Sequence, residues 1–108
     1  MLTEKEKKII GQYSEKIRMF FPGEITEVLI YGSKARGDDN PDSDIDLLVV
    51  TEFDDWRKAD QIRIFGYEMD WSIGARLSIQ VISKEHYAML KKNGFEFALN
   101  IEKDAVPV

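Results

Sequence analysis

Apolar residues near the start of the chain recur with the period of a helix. Their spacing of three and four positions predicts an amphipathic helix over residues 3–21. The apolar face of this helix consists of Ile9, Ile10, Tyr13, Ile17 and Phe20. Thr3 followed by Glu6 has the form of a capping box. Pro22-Gly23 predicts the end of the helix, because proline cannot extend it and glycine permits a turn.

Three later segments have the pattern of strands. Residues 24–31 finish in the apolar run Val28–Ile30, which predicts a strand with one buried end. Residues 44–51 are almost continuously apolar, which predicts a strand buried on both faces of a sheet. Residues 76–83 alternate apolar and polar side chains, as a half-buried strand does.

Helical patterns separate and follow these strands. A second long helix is predicted over residues 54–73, with Gly74 as its stop. Its expected buried face is Ile62, Phe65, Tyr67 and Met69. Two short helices are predicted over residues 85–92 and 96–103. The order predicts an α/β (α+β) fold, in which helices pack on a small mixed sheet.

Length and charge narrow the class of protein. We expect residues 1–108 to form a single domain. A net charge of −5 argues against general nucleic-acid binding, which requires an excess of Lys and Arg. The chain has no cysteine, no apolar run long enough to span a membrane and no apolar segment typical of a secretory signal. We therefore expect no membrane association and a cytoplasmic location.

The first candidate site lies where the first predicted strand ends. Gly32-Ser33 predicts a turn, and residues 34–36 a short helix behind it. Glycine allows the backbone to approach a phosphate closely, while Ser33 can donate its hydroxyl and cap the helix. The N–H groups at the start of that helix favour an anion, and Arg36 can add a charge-assisted contact. These features predict a phosphate-binding turn, followed by a polar loop over residues 38–42.

The second candidate site opens the next strand. Ten residues separate Ser33 from Asp44, and one separates Asp44 from Asp46. Because residues two apart on a strand point to the same face, both carboxylates project together. Mg²⁺ prefers such oxygen ligands and commonly binds phosphate oxygens as well. Either feature alone is common, but the turn and the carboxylates together predict a nucleoside triphosphate held on divalent metal.

Residues 30–51 resemble the minimal nucleotidyltransferases of the DNA polymerase beta superfamily. The shared signature is a Gly-Ser turn, a spacer of similar length and Asp-x-Asp on the next strand. The end of the chain, over residues 93–103, resembles the closing helix and last short strand of that family. The resemblance implies the nucleotidyltransferase fold and two Mg²⁺ ions in an active complex. It assigns nucleotide binding to Gly32, Ser33 and Arg36, and catalysis and metal binding to Asp44 and Asp46.

One feature of that family is missing from the sequence. Active members carry a third carboxylate on the strand after the long helix, where this chain has Ser78 and, two residues on, Gln80. Neither side chain ionises at pH 7. Either two carboxylates suffice, with help from Glu68 or Asp70, or the protein binds nucleotide without catalysis. A third alternative is that the strand aligns differently with the family pattern.

The resemblance also suggests a donor and an acceptor. Larger relatives add a domain that completes the acceptor site, so we expect the acceptor to be a separate molecule or to lie across a homo-oligomer interface. Small members resemble antitoxins that pair with helical HEPN toxins and transfer AMP from ATP to a tyrosine of the toxin. We therefore expect a nucleotidyltransferase that uses ATP, with a small helical protein as partner. The alternative is an inactive subunit that acts by binding its partner.

Overall fold

The computed structural model describes residues 2–38, 43–70 and 76–108, and for Asp70 the backbone alone. Its elements in chain order are α1 (Glu4–Phe20), β1 (Ile25–Tyr31), α2 (Ser33–Arg36), β2 (Ile45–Thr51), α3 (Trp56–Asp70), β3 (Leu77–Ser83), α4 (Lys84–Lys92), α5 (Glu96–Asp104) and β4 (Val106–Pro107). The predicted order of helices and strands is confirmed, with β4 added after the last helix. Most of the predicted polar loop, residues 39–42, and the helix stop at Gly74 lie outside the described residues.

The strands form one mixed sheet with the spatial order β3-β2-β1-β4. β1 pairs antiparallel with β2 and with β4, while β2 and β3 run parallel. Residues that pair across neighbouring strands share a face of the sheet. The register sets Tyr31 opposite Asp46, and Asp46 beside Ser78. The strand ends that carry the candidate site residues therefore meet on one side of the molecule.

Helices cover both faces of the sheet, as the α/β prediction requires. On one face, α1 and α3 enclose a core of Ile10, Tyr13, Ile17, Ile25, Val28, Ile30, Ile45, Leu47, Val49, Ile62, Phe65, Leu77 and Ile79. On the other face, α4 and α5 enclose a smaller core of Leu29, Leu48, Val50, Tyr87, Ala98 and Ile101. β2 contributes to both cores, which confirms its predicted burial on both faces. Asp46 shares a face with Leu48 and thus lies on the side of α4 and α5.

The first helix begins at the predicted capping box. The Glu6 N–H donates to Thr3 Oγ1 at 3.1 Å, and the Thr3 N–H donates to Glu6 Oε1 at 2.8 Å. Further along, the Tyr13 hydroxyl donates to the carbonyl of Ile62 at 2.7 Å and joins α1 to α3 inside the core. This buried hydrogen bond satisfies the one polar atom of the tyrosine ring.

Two residues expected in the core are exposed. Phe20 lies in the last turn of α1 and keeps 61% of its surface accessible, although its ring contacts those of Phe65 and Phe21. Tyr67 is 50% exposed, since it lies on the outer side of α3. That helix also begins at Trp56 rather than at Asp54.

Within the described residues, no helix combines the length and the apolar character that crossing a membrane requires.

The close packing of α3 on β3 depends on Gly66. A Cβ atom there would overlap the side chain of Ile79 and lie 3.4 Å from the Tyr13 ring. We predict that Gly66→Val lowers the free energy of unfolding by about 2 kcal/mol, since overpacking a core costs roughly 1–3 kcal/mol. Gly11→Val is the matched control, because nothing lies within 4 Å of a Cβ at that helical glycine. Urea unfolding of both variants tests this, and equal losses would contradict it.

Candidate functional site

The turn between β1 and α2 packs directly on a carboxylate. Gly32 has φ +75° and ψ −156°, a conformation that is essentially restricted to glycine. A Cβ atom at this position would overlap Asp46 Oδ2 and lie 3.2 Å from Asp46 Cγ. The absence of a side chain at Gly32 thus lets the backbone of the turn lie directly against the Asp46 carboxylate.

Ser33 has a different local role from the one predicted. Gly32 is the N-cap of α2 and makes no side-chain capping bond, while Ser33 is the first helical residue. Its carbonyl accepts the N–H groups of Gly37 at 2.9 Å and Asp38 at 3.2 Å, which closes the single turn of helix. The expectation that the Ser33 hydroxyl caps the helix is wrong, because the cap position falls one residue earlier.

The two aspartates of the second motif lie close together. Asp44 precedes β2 and is exposed, whereas Asp46 is half-buried within the strand. Burial and, after it, the carboxylate of Asp44 raise the pKa of Asp46, while a hydrogen bond from Ser78 and the charge of Arg36 oppose the rise. The negative charge of the pair is therefore only partly compensated by these neighbours. Burial and, after it, the carboxylate of Asp46 raise the pKa of Tyr31.

A hydroxyl group from the neighbouring strand lies beside Asp46. Ser78 lies beside Asp46 in the parallel register of β2 and β3, and its hydroxyl hydrogen-bonds with the Asp46 carboxylate. Gln80 pairs with Leu48, one step further along the face, and is exposed. The register therefore sets Ser78, rather than Gln80, directly beside Asp46.

Glu68, one of the two acidic residues proposed to help the aspartates, lies away from them. Glu68 forms an ion pair with Lys16 at 3.7 Å, in the helical layer on the opposite face of the sheet. The side chain of Asp70 lies outside the described part of the chain. Among the described residues, no group of three or more His, Cys, Asp or Glu side chains could hold a metal ion.

The Arg36 guanidinium lies near three carboxylates. Its Nε donates to Asp38 Oδ2 at 3.1 Å, and both groups are exposed. That hydrogen bond and the charge of Asp38 raise the pKa of Arg36, with smaller contributions from the nearby Asp104 and Asp46. The guanidinium thus lies near Asp46, but it already has Asp38 as a carboxylate partner.

A buried ion pair links α2 to the first turn of α1. Lys34 Nζ lies 3.4 Å from Glu6 Oε2, and both side chains are more than nine-tenths buried. Burial acts to raise the pKa of Glu6, but the Thr3 N–H and the Lys34 ammonium together lower it. The first turn of α1 therefore supports the turn that carries Gly32. Nothing in the local sequence pattern indicated this contact, because the two residues belong to separate helices.

A cavity of about 220 Å³ lies between the turn and α5, and we call it the α5 cavity. Its lining residues are Tyr31, Gly32, Arg36, Phe97, Asn100, Ile101 and Asp104. The ring of Phe97 meets that of Tyr31 edge-to-face at 5.9 Å. The residues that α5 contributes were not predicted from the sequence. Their spacing of three, one and three positions is the only available signal, and it also fits an ordinary core-facing stripe.

The donor atoms of the site fit a hard divalent cation. Asp44 and Asp46 offer carboxylate oxygens, and Ser78 offers a hydroxyl oxygen. Mg²⁺ selects oxygen ligands and usually takes one or two carboxylates together with phosphate oxygens and water. The partly uncompensated charge of the aspartate pair also favours a cation. The residues present therefore fit Mg²⁺.

Comparison with known proteins identifies the family. Residues 10–101 match the family model of the nucleotidyltransferase domain, so the chain belongs to that family. A putative protein adenylyltransferase from Methanocaldococcus jannaschii is 37% identical over 49 residues, which are 45% of this chain and 49% of that protein. The match thus spans about half the length of this curated relative.

Solved structures share the fold. A crystal structure of a putative nucleotidyltransferase from Sulfolobus solfataricus has a TM-score of 0.61 and 24% identity, over 93% of this chain and 76% of that one. A structure of a putative minimal nucleotidyltransferase has a TM-score of 0.58 and 19% identity, over 94% of both chains. At these identities the likeness shows the fold alone, and it confirms the nucleotidyltransferase fold predicted from the signature.

The first prediction for the site concerns Gly32. We expect Gly32→Ala to lower the free energy of unfolding by about 3 kcal/mol, because it combines a glycine-only backbone conformation, costing roughly 1–3 kcal/mol, with an overlap on Asp46. Gly37→Ala is the control: its φ of +82° lies in the left-handed region, but its Cβ would meet nothing. There we expect a loss of about 1–2 kcal/mol. Urea unfolding that ranks the two variants in the reverse order would contradict the prediction.

The second prediction concerns pH. Because the pKa of Asp46 is raised on folding, the folded state binds more protons than the unfolded state between the ordinary value of 3.8 and the raised value. Stability should therefore fall as pH rises through this window. We expect Asp46→Asn to be more stable than the unsubstituted protein at pH 7, and the difference to shrink below pH 3.8. Unfolding free energies measured across this range test it, and a constant difference would contradict it.

Proposed function

We propose that this protein is an Mg²⁺-dependent adenylyltransferase that moves AMP from ATP to a hydroxyl group of a partner protein. One observation carries the proposal: the Gly32 turn packs on the carboxylate of Asp46, and Asp44 lies beside that carboxylate. Such an arrangement favours an anion and a divalent cation as immediate neighbours. A nucleoside triphosphate with its bound metal ion supplies both.

The chain's own residues divide the binding between them. Gly32 and Ser33 would hold the phosphates through the backbone and hydroxyl of the turn, with Arg36 as a cationic contact. Asp44 and Asp46 would hold Mg²⁺. When bound, Mg²⁺ would offset the charge of the phosphates and of the two aspartates. We expect two ions in an active complex, although two carboxylates and one hydroxyl are a small ligand set for both.

The proposed reaction replaces one bond to phosphorus with another. The acceptor hydroxyl oxygen bonds to the α-phosphorus of ATP, the bond to the bridging oxygen of the β-phosphate breaks, and pyrophosphate leaves. The proton of the hydroxyl is lost to solvent, because the Ser78 hydroxyl cannot accept it at neutral pH. In this proposal the protein mainly positions the reactants and stabilises the charge that develops.

One comparison and the resemblance of the signature support a protein as acceptor. The Methanocaldococcus jannaschii relative carries the name of a protein adenylyltransferase, and the signature resembles that of antitoxins paired with HEPN toxins. We therefore propose a tyrosine hydroxyl of a small helical partner as the acceptor, and the cytoplasm, where ATP is available, as the location.

Ser78 supports a second candidate function. Its hydroxyl already hydrogen-bonds with Asp46, and the resemblance implies a third carboxylate at this position in active relatives. A subunit that binds nucleotide and inhibits its partner by contact would tolerate this replacement. The two functions differ in whether the aspartate pair is needed.

An adenylyl-transfer assay tests the proposal. The protein is incubated with ATP labelled at the α-phosphate, Mg²⁺ and the product of the neighbouring gene, and label on the partner is measured. We expect label transfer that is abolished, by at least 100-fold, in the double variant Asp44→Asn, Asp46→Asn, because both proposed metal ligands are lost. The double variant Asp54→Asn, Asp55→Asn is the matched control, since these aspartates precede α3 at the opposite end of β2.

The result separates the two functions. Absence of transfer by the folded protein with any divalent metal would contradict the adenylyltransferase proposal. If the Asp44, Asp46 variant still inhibits the partner in such a case, the binding function is supported. Loss of inhibition in the same variant would contradict the binding function.

A further inference from the structure

We propose that the α5 cavity is the subsite for the nucleoside of the donor and that it binds adenine. This inference rests on the proposed function, because it assumes that the Gly32 turn holds a triphosphate. It adds a location and a chemical identity for the part of the nucleotide beyond the phosphates. It also assigns a specificity-determining role to residues of α5.

The cavity is continuous with the phosphate-binding turn. Gly32 and Arg36 belong both to the turn and to the lining of the cavity. A triphosphate bound at the turn therefore has a concave space of about 220 Å³ directly beside it. The space lies on the face of the sheet that also carries Asp46, so one nucleotide can occupy both places.

Aromatic rings form one wall of the cavity. Phe97 lines the cavity and keeps 40% of its surface exposed. Its ring contacts the Tyr31 ring edge-to-face. Exposed aromatic surface in a concave site is suited to stacking on a planar base, an interaction worth about 1–3 kcal/mol per base. A purine offers a larger ring surface for this contact than a pyrimidine does.

Polar groups on the same helix favour an amino-bearing base over further phosphate. Asp104 contributes a carboxylate, which repels phosphate but accepts hydrogen bonds from an amine. The Asn100 amide can both donate and accept. Adenine presents an amine next to a ring nitrogen acceptor, and these two residues complement that edge. Uracil has no amine for Asp104 to accept.

Titration calorimetry with two probes tests the inference. Mg·ATP reports on the whole nucleotide, and Mg·tripolyphosphate reports on the phosphate site alone. We expect the protein to bind Mg·ATP at least 10-fold more tightly than Mg·tripolyphosphate, and more tightly than Mg·UTP. Phe97→Ala should weaken Mg·ATP binding by roughly 5–100-fold, which is the range of base stacking, and leave Mg·tripolyphosphate binding unchanged.

The control is a variant of the residue that caps α5, and a second test variant comes from the helix itself. Phe95→Ala removes an aromatic residue that is 52% exposed but does not line the cavity, so Mg·ATP binding should change by less than twofold. Asn100→Ala should reduce the preference for Mg·ATP over Mg·UTP. Since Asn100 is exposed, this variant keeps the test valid if Phe97→Ala fails to fold.

The outcomes distinguish this inference from the function on which it rests. Equal affinity for Mg·ATP and Mg·tripolyphosphate would overturn the nucleoside subsite and retain the phosphate site. Equal loss of both probes in Phe97→Ala would also overturn it, because Phe97 would then support the turn rather than the base. If neither probe binds the folded protein, both the inference and the proposed function are contradicted.

Discussion

The contact between the backbone of Gly32 and the carboxylate of Asp46 organises the candidate site. It exists because Gly32 has no Cβ atom and adopts a positive φ. The antiparallel pairing of β1 with β2 supplies the other half of the constraint, since it sets Tyr31 opposite Asp46. One glycine and one register thus determine how far the turn lies from the carboxylate of Asp46. Larger residues at the turn would separate the two halves.

Features that depend on neighbours in the sequence were predicted well. The capping box at Thr3 and Glu6, the helix end at Pro22-Gly23 and the burial of β2 on both faces follow from short-range patterns, and the structure has all three. The fold class was predictable for the same reason. For the site, the signature located Asp44 and Asp46, since strand periodicity alone places them on one face.

Features that depend on tertiary packing were not predictable in this way. Phe20 continues the apolar periodicity of α1 but lies in its last turn, where it is exposed. Tyr67 lies two positions from Phe65 and from Met69, and it therefore faces the outer side of α3. The cap of α2 falls on Gly32 because the register of the turn, rather than the capping preference of serine, decides it. The buried pair of Glu6 with Lys34 and the α5 cavity join segments that are distant in sequence. No local pattern specifies which distant segments meet.

The ion pair of Glu6 with Lys34 has a consequence for how the site attracts ligands. The segment from Gly32 to Arg36 contains two cations, yet a buried carboxylate faces the first and an exposed one faces the second. Carboxylates of the same chain therefore largely balance the positive charges of Lys34 and Arg36. An anionic ligand arriving from solution therefore competes with Asp38 for the Arg36 guanidinium. Binding of such a ligand should consequently depend on the cations that accompany it, and therefore on the ionic composition of the medium.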